Sequence, residues 1–336
     1  MQDLLQHVAG TSQLFLSLDN QPYATLPSGE ATPIYSEDFF THLNTLADAK
    51  QIDIPNATKL GFFLRKLDAQ AHTSRRIQHV PLRTYQPDPQ TLLLDLHDNF
   101  DAVELTRKSW RITSNLDTSF LRPSLNLPLP PPEKPQHDLP AYMAQLFQLQ
   151  PPQALEIANW LALAMLPNAQ TPILVITGEA RDEAAEKLRK IIDPVPQPLF
   201  HLPHSANQLG QLALTNRVLA FAVYGNISKN KQLALNRLRQ GMVVQLKEAN
   251  KRRPPIFAKV ARPIILAAES NIEISRHQIT VEINYAGQGD HPQILGALLD
   301  LVAQTLHRAH LRAIEMDDKP LLESPNPTIQ SDAPYP

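Results

Sequence analysis

The chain has 336 residues, with 31 prolines, 10 glycines, no cysteine and a formal net charge of −2. That length supports more than one domain and a full apolar core, and the lack of cysteine excludes disulfides, thiolate zinc sites and cysteine nucleophiles, in keeping with a reducing cytosol. The charge balance argues against a uniformly basic nucleic-acid binder and leaves room for a local basic surface, while no stretch approaches the ~20 apolar residues of a membrane span. The first residues, Met1-Gln2-Asp3-Leu4-Leu5, carry no basic start and no continuous apolar run, so a soluble cytoplasmic protein with no membrane partner is expected.

Residues 1–126 read as a small α+β domain. The runs 14–18 and 23–26 flank an Asp19-Asn20-Gln21 turn and predict a hairpin. Two helices follow: one opens at Ser36 and carries Phe39, Leu43 and Leu46 on its core face, and the next carries Leu60, Phe63, Leu64 and Leu67. Segments 91–96, 101–105 and 109–113 have the spacing of an antiparallel meander, with a turn at Asp98-Asn99. Residues 127–140 hold Pro128, Pro130, Pro131, Pro132 and Pro135 and predict an extended, semi-rigid linker.

Residues 141–314 read as an α/β domain. Helices are expected over 141–149 and 152–166. The short apolar runs Ile173–Thr177, 218–223 and 263–267 are of the kind that a sheet covered on both faces requires, and 279–285 adds a further strand. Residues 291–310 form an amphipathic helix opened by Asp290, with Leu295, Leu298, Leu299, Val302 and Leu306 on one side. Residues 315–336 are acidic and proline-rich, and are expected to be disordered.

The run Ile173–Thr177, its turn residue Gly178 and the charged helix after it are the frame of a phosphate-binding loop, but the second glycine, the lysine and the hydroxyl of G-x-x-x-x-G-K-[ST] are missing. Glu179, Asp182 and Glu183 stand where phosphate oxygens would lie, in a helix N-terminal field that otherwise favours anions.

The order of these pieces resembles the ATPase-domain proteins of prophages and other mobile elements, related to superfamily 3 and AAA+ helicases. The resemblance rests on 173–178, on Ile191-Ile192-Asp193-Pro194 closing the helix, on Arg217-Val218-Leu219-Ala220-Phe221 and on Ala261-Arg262-Pro263-Ile264-Ile265-Leu266. It implies a P-loop NTPase-like covered sheet preceded by the small α+β domain, and it also implies that the site is degenerate. The loop after Gly178 is short, Ala222 stands where the family's magnesium-binding acid would be, and Ala267 or Ala268 stands where its sensor asparagine would be. No catalytic residue and no cofactor is therefore expected. Arg276 falls where the family has an arginine that reaches a neighbouring subunit's phosphate; an ordinary surface arginine is the other reading.

From 229 to 262 there are ten Lys/Arg and one acid, Glu248. Segments 242–246 and 256–260 read as a hairpin, and the resemblance implies that such a hairpin touches nucleic-acid backbone. Lys247, Lys251, Arg252, Arg253 and Lys259 are the candidate DNA- or RNA-binding residues, with a solvated loop as the alternative. A second basic set, Lys59, Arg65, Lys66, Arg75, Arg76 and Arg83, lies in the N-terminal part; for Arg65 and Lys66 the other reading is the wet face of the helix that carries Phe63 and Leu67. The pairs His201/His204 and His307/His310 lack nearby carboxylates or thiolates to complete a metal site. The expected function is a catalytically inactive, nucleic-acid-binding or scaffolding subunit of a homo- or hetero-oligomer. An active ATPase with a non-standard site, or a protein that caps an active homologue's ring, are the alternatives.

Overall fold

A computed structural model describes residues 8, 10–27, 29–51, 57–98, 101–114, 118–245, 257–274 and 276–317. The N-terminal hairpin forms as expected from β1 (Gln13–Ser17) and β2 (Pro22–Thr25), with Phe15 opposite Tyr23 and the left-handed Asn20 in the turn. Strand β3 (Ala31–Pro33) extends it on one side and β4 (Ile77–Gln78) runs parallel to β1 on the other. Helices α1 (Glu37–Ala49) and α2 (Ala57–Thr73) cover one face of this sheet. The Ser36 hydroxyl caps α1 by accepting from the Phe39 amide at 3.2 Å. Phe39, Leu43, Phe63, Leu64 and Leu67 then pack with Leu16, Ala24 and Ile34.

The meander gains a first strand that the sequence did not announce, and runs β5 (Thr84–Asp88), β6 (Thr91–Asp98), β7 (Asp101–Thr106), β8 (Trp110–Thr113) in simple antiparallel order. Leu92, Leu94, Leu96, Val103 and Leu105 on one of its faces join the largest apolar cluster of the molecule. The expected Asp98-Asn99 turn lies partly outside the described residues.

Helices α3 (Leu139–Phe147) and α4 (Pro151–Met165) lead into the parallel sheet. Its elements are β9 (Ile173–Thr177), α5 (Arg181–Ile192), β10 (Phe200–His201), α6 (Ala206–Thr215), β11 (Leu219–Val223), α7 (Lys229–Gln240), the antiparallel hairpin β12 (Met242–Gln245) and β13 (Phe257–Val260), β14 (Ile264–Ala268), β15 (Gln278–Glu282) and α8 (His291–Asp317). The five strands lie in the order β10-β11-β14-β9-β15, every neighbouring pair parallel. Continuous apolar sequence in β9, β11 and β14 follows from burial on both faces. Leu174, Ile176, Ala220, Ile265 and Ala267 pack toward α3, α4, α5 and α8, while Ile173, Val175, Leu219, Phe221, Ile264 and Leu266 pack toward α6, α7 and the hairpin. Helix α8 runs to Asp317, into the segment expected as tail; residues 318–336 lie outside the described residues.

The proline-rich segment is held along its length. The Leu127 amide donates to Pro194 O at 2.8 Å, the Leu129 amide to Leu96 O at 2.9 Å and the Glu133 amide to Pro292 O at 3.0 Å. Leu129 is buried in the main cluster. Gly296 of α8 makes room for the strap, because a Cβ there would meet Glu133 O. The indole of Trp110 donates to Asp300 Oδ1 at 2.9 Å, tying β8 to α8.

A buried polar network runs between the meander, the strap and the parallel sheet. Asp193, at the end of α5, accepts from Arg83 Nε at 3.4 Å and Asn126 Nδ2 at 3.3 Å through one oxygen. Its other oxygen accepts from the Arg217 and Val218 amides at 2.6 and 3.2 Å. Arg83 also donates to Asp95 O and Leu127 O, and Arg122 grips the Asp95 carboxylate with two bonds of 3.0 and 2.6 Å. Arg83 is thus 2% exposed, which corrects its placement among surface cations.

Asp193→Ala is expected to lower stability by about 3–5 kcal/mol, since it strands the Arg83 guanidinium and two backbone donors; urea unfolding measures it. Acid should act on the same region. Burial, with the Arg83 cation next to it, pushes His97 down to about 4, and burial holds His42, His79 and His291 below the ordinary histidine value. Between the ordinary value of 6.5 and about 4 the unfolded chain therefore binds more protons than the folded one. Stability is full above this window and falls as pH drops through it. Urea midpoints at neutral and mildly acid pH should show that decline, and His97→Gln should reduce it by about 1 kcal/mol, allowing for the partial exposure of the ring.

Candidate functional site

The carboxyl edge of a parallel sheet, at a point where successive connections leave in opposite directions, is where α/β folds place ligands. Here β9 is followed by Gly178, whose φ of +100° is left-handed. A Cβ at this position would strike Ile283 O and come within 2.6 Å of Asn284 Oδ1. Both constraints call for glycine. The chain then needs only Glu179 and Ala180 to reach α5.

Those two amides point at the neighbouring strand end. The Glu179 amide donates to Asn284 Oδ1 at 3.0 Å. The Ala180 amide donates to Ile283 O at 3.1 Å, and the Ile283 amide returns a bond to Thr177 O at 2.7 Å. A phosphate loop works by presenting such amides to an anion, and in this turn they already have protein acceptors.

Gly178, Ala222 and Ala267 lie at or beside the carboxyl ends of the adjacent strands β9, β11 and β14. Ala267 stands between Ile176 of β9 and Ala222 of β11 in the ladder. What they present is two buried methyl groups. Beside them opens a cleft of about 570 Å³ lined by Gly178, Glu179, Arg181, Glu269, Glu282 and Asn284. Its three carboxylates, Glu179, Glu269 and Glu282, outnumber the one guanidinium of Arg181. Of the nearby cations, Arg181 Nε makes an ion-pair approach of 3.6 Å to Asp182 Oδ1 but no hydrogen bond. Lys187 Nζ donates to Glu183 Oε1, Ala286 O and Gly287 O. Like charge at this range repels a polyphosphate instead of holding it. Among the described residues no three His, Asp or Glu side chains are grouped to hold a metal ion.

Glu269, Glu282 and Asn284 were not singled out in the sequence. The available signal was positional: each lies at or just beyond the carboxyl end of a strand, where the edge rule would direct attention.

Of the nucleic-acid candidates, Lys247, Lys251, Arg252 and Arg253 lie outside the described residues. The strands on either side of them in sequence do pair, with Val243 opposite Lys259 and Val244 opposite Ala258, and Lys259 is exposed. Within the same basic run the structure separates surface from interior. Lys229 and Arg237 are exposed on α7, whereas Arg239 is buried and Arg262 donates from Nε to Ala213 O and Asn216 O at 2.9 and 3.0 Å. In the N-terminal part Arg65 and Lys66 flank the half-exposed Phe62 ring at 5.8 and 5.2 Å. Arg276 is exposed beside His277, whose carbonyl accepts from the Ile173 amide at 3.2 Å. It therefore stands at the amino edge of the sheet, a strand length from Gly178. No helix among the described residues is long and apolar enough to cross a membrane.

No protein-family model matches the chain, and no curated protein matches it. Among solved structures it is similar to the NrS-1 C-terminal region. The A-form apo structure of that region matches with a TM-score of 0.45 and 10% identity over 90% of this chain and 68% of that one. A second apo structure, spanning residues 305–718 of that protein, matches with a TM-score of 0.43 and 12% identity over 89% and 67%. No functional residue is carried over from these likenesses.

Gly178→Ala is expected to lower stability by more than about 1 kcal/mol, because it meets both a left-handed φ and a backbone oxygen. Gly61→Ala, with open space in the middle of α2, is expected to be neutral or to stabilise by up to about 1 kcal/mol. Thermal unfolding of the two variants side by side measures the contrast.

Proposed function

We propose that residues 141–314 are a degenerate P-loop NTPase-like domain of the AAA+ helicase-like kind, and that the protein is a non-catalytic subunit in mobile-element DNA replication or processing. The observation that carries this reading is the turn after β9, whose Glu179 and Ala180 amides bond Asn284 Oδ1 and Ile283 O beside three carboxylates. The strand order supports it. The first strand, β9, lies inside the sheet between β14 and the last strand, β15, and leads through one short turn into α5. This is the frame in which a phosphate loop sits, retained without the groups that hold phosphate.

The contact surface in this reading is the basic hairpin, with Lys259 on its described strand and Lys247, Lys251, Arg252 and Arg253 between the strands in sequence. Such cations neutralise phosphates without reading bases. Arg276, exposed at the far edge of the sheet, is a candidate for contact with a neighbouring subunit.

Two measurements test the proposal. Mg²⁺–ATP hydrolysis, with and without single-stranded DNA, is expected to stay at background; turnover above it would restore an active ATPase. Fluorescence anisotropy with a labelled single-stranded oligonucleotide is expected to show binding that weakens steeply with salt. Replacing Lys251, Arg252 and Arg253 together by Glu should reduce affinity by about tenfold or more at low salt and flatten the salt slope. Salt-insensitive binding, or affinity unchanged in the triple variant, would remove the hairpin from the argument.

A further inference from the structure

A second cavity, larger than the one at Gly178, lies between the two halves of the molecule. A cleft of about 760 Å³ opens between the N-terminal sheet and the α6–α7–β13 side of the parallel sheet. Its two walls differ in charge. The C-terminal wall carries Arg217, Arg239, Lys259 and Arg262, and the N-terminal wall carries Asp19, Asp38 and Thr84.

Three polar atoms on these walls are buried and lack any hydrogen-bond partner. Arg239, 5% exposed, leaves Nε unpaired; Arg217, 3% exposed, leaves Nε unpaired; and Thr84, 3% exposed, leaves its hydroxyl unpaired. An unsatisfied buried donor costs about 1–3 kcal/mol, more when it is charged, so three of them around one cavity call for an acceptor from outside the chain. The cations also press on each other. Burial lowers Arg217 to about 9, with the neighbouring Arg262 pushing the same way and Asp193 opposing. Arg262 falls to about 10 through burial, again opposed by Asp193. Asp193 is the carboxylate that faces this group, and four hydrogen bonds, from Arg83, Asn126 and the amides of Arg217 and Val218, already draw on it.

We propose that this cleft binds a phosphate monoester of mononucleotide size, its phosphate on Arg239 and Arg217 and its donor-bearing end toward Asp19 and Asp38. Guanidinium groups suit the planar, multi-acceptor face of a phosphate. The cavity lies within the roughly 300–1,000 Å³ of small-molecule sites, several times what a lone phosphate fills. The acidic wall gives the second end of the ligand its polarity: hydrogen-bond donors such as ribose hydroxyls or an exocyclic amine. This site is separate from the Gly178 cleft and involves no hydrolysis.

Thermal unfolding of the full chain with millimolar AMP, inorganic phosphate or adenosine tests it, since a ligand of the native state alone raises the midpoint. AMP is expected to raise it by a few degrees, inorganic phosphate by less and adenosine not at all. The AMP shift should vanish in Arg239→Gln, diminish in Thr84→Val, which nearly preserves side-chain volume, and persist in Arg237→Gln on the exposed face of α7. No shift with AMP, or a shift retained in both Arg239→Gln and Thr84→Val, overturns the proposal. Equal shifts from inorganic phosphate and AMP overturn the assignment to a mononucleotide-sized ester.

Discussion

The Asp193 carboxylate accepts hydrogen bonds from Arg83, Asn126 and the amides of Arg217 and Val218, groups that arrive on three stretches of chain distant in sequence. A fully buried carboxylate is tolerated only when its lone pairs are met, so each partner must arrive in place for the others to be worth having. Through Arg83 the same network reaches the Asp95 and Leu127 carbonyls, and through Arg122 the Asp95 side chain. The meander, the proline strap and the start of β11 are thereby fixed against the end of α5. Apolar burial between these parts is extensive but undirected; the carboxylate sets the register in which they meet.

The same rule of saturated donors governs the edge of the parallel sheet. With β15 paired along β9, its last residues come level with the turn after Thr177, and Asn284 and Ile283 take the amides that follow Gly178. An anion would have to displace protein acceptors and enter among Glu179, Glu269 and Glu282. At the cleft between the two halves, by contrast, Arg217 Nε, Arg239 Nε and the Thr84 hydroxyl lack partners. One chain thus holds a turn whose backbone amides are occupied and a cavity in whose walls Arg217 Nε and Arg239 Nε stay unpaired, although Arg217 Nη2 and Arg262 Nε are held by backbone carbonyls.

Much of the fold was legible because burial leaves a pattern. Strands β9, β11 and β14 read as unbroken apolar runs since both of their faces are covered, and α8 read from the spacing of Leu295, Leu298, Leu299, Val302 and Leu306. Ser36 announced α1 through its cap. What escaped depended on partners distant in the chain. Arg83 looks like any other surface cation until Asp193 is placed beside it. Strand β5 contains Pro87 and lies at a sheet edge, where a missing donor is tolerated but the sequence signal is weak. Glu269, Glu282 and Asn284 belong to one cleft only once the strand order β14-β9-β15 is known. The proline run was expected as an extended linker, and nothing in its composition shows that Leu129 would be buried or that Gly296 would lie beneath Glu133.

That last contact has a consequence for how the chain is made. Glu133 of the strap lies over Gly296, and the helix beneath it is the final element of the main core, touching α3, α4, α5, β7 and β8. During synthesis the meander and the strap emerge well over a hundred residues before α8 exists to cover them. Until then Leu92, Leu94, Leu96 and Leu129 have no complete surface to pack on. The nascent chain must carry that apolar face exposed while the residues between the strap and α8 are made, so the packing of the meander and strap is completed only once α8 has emerged.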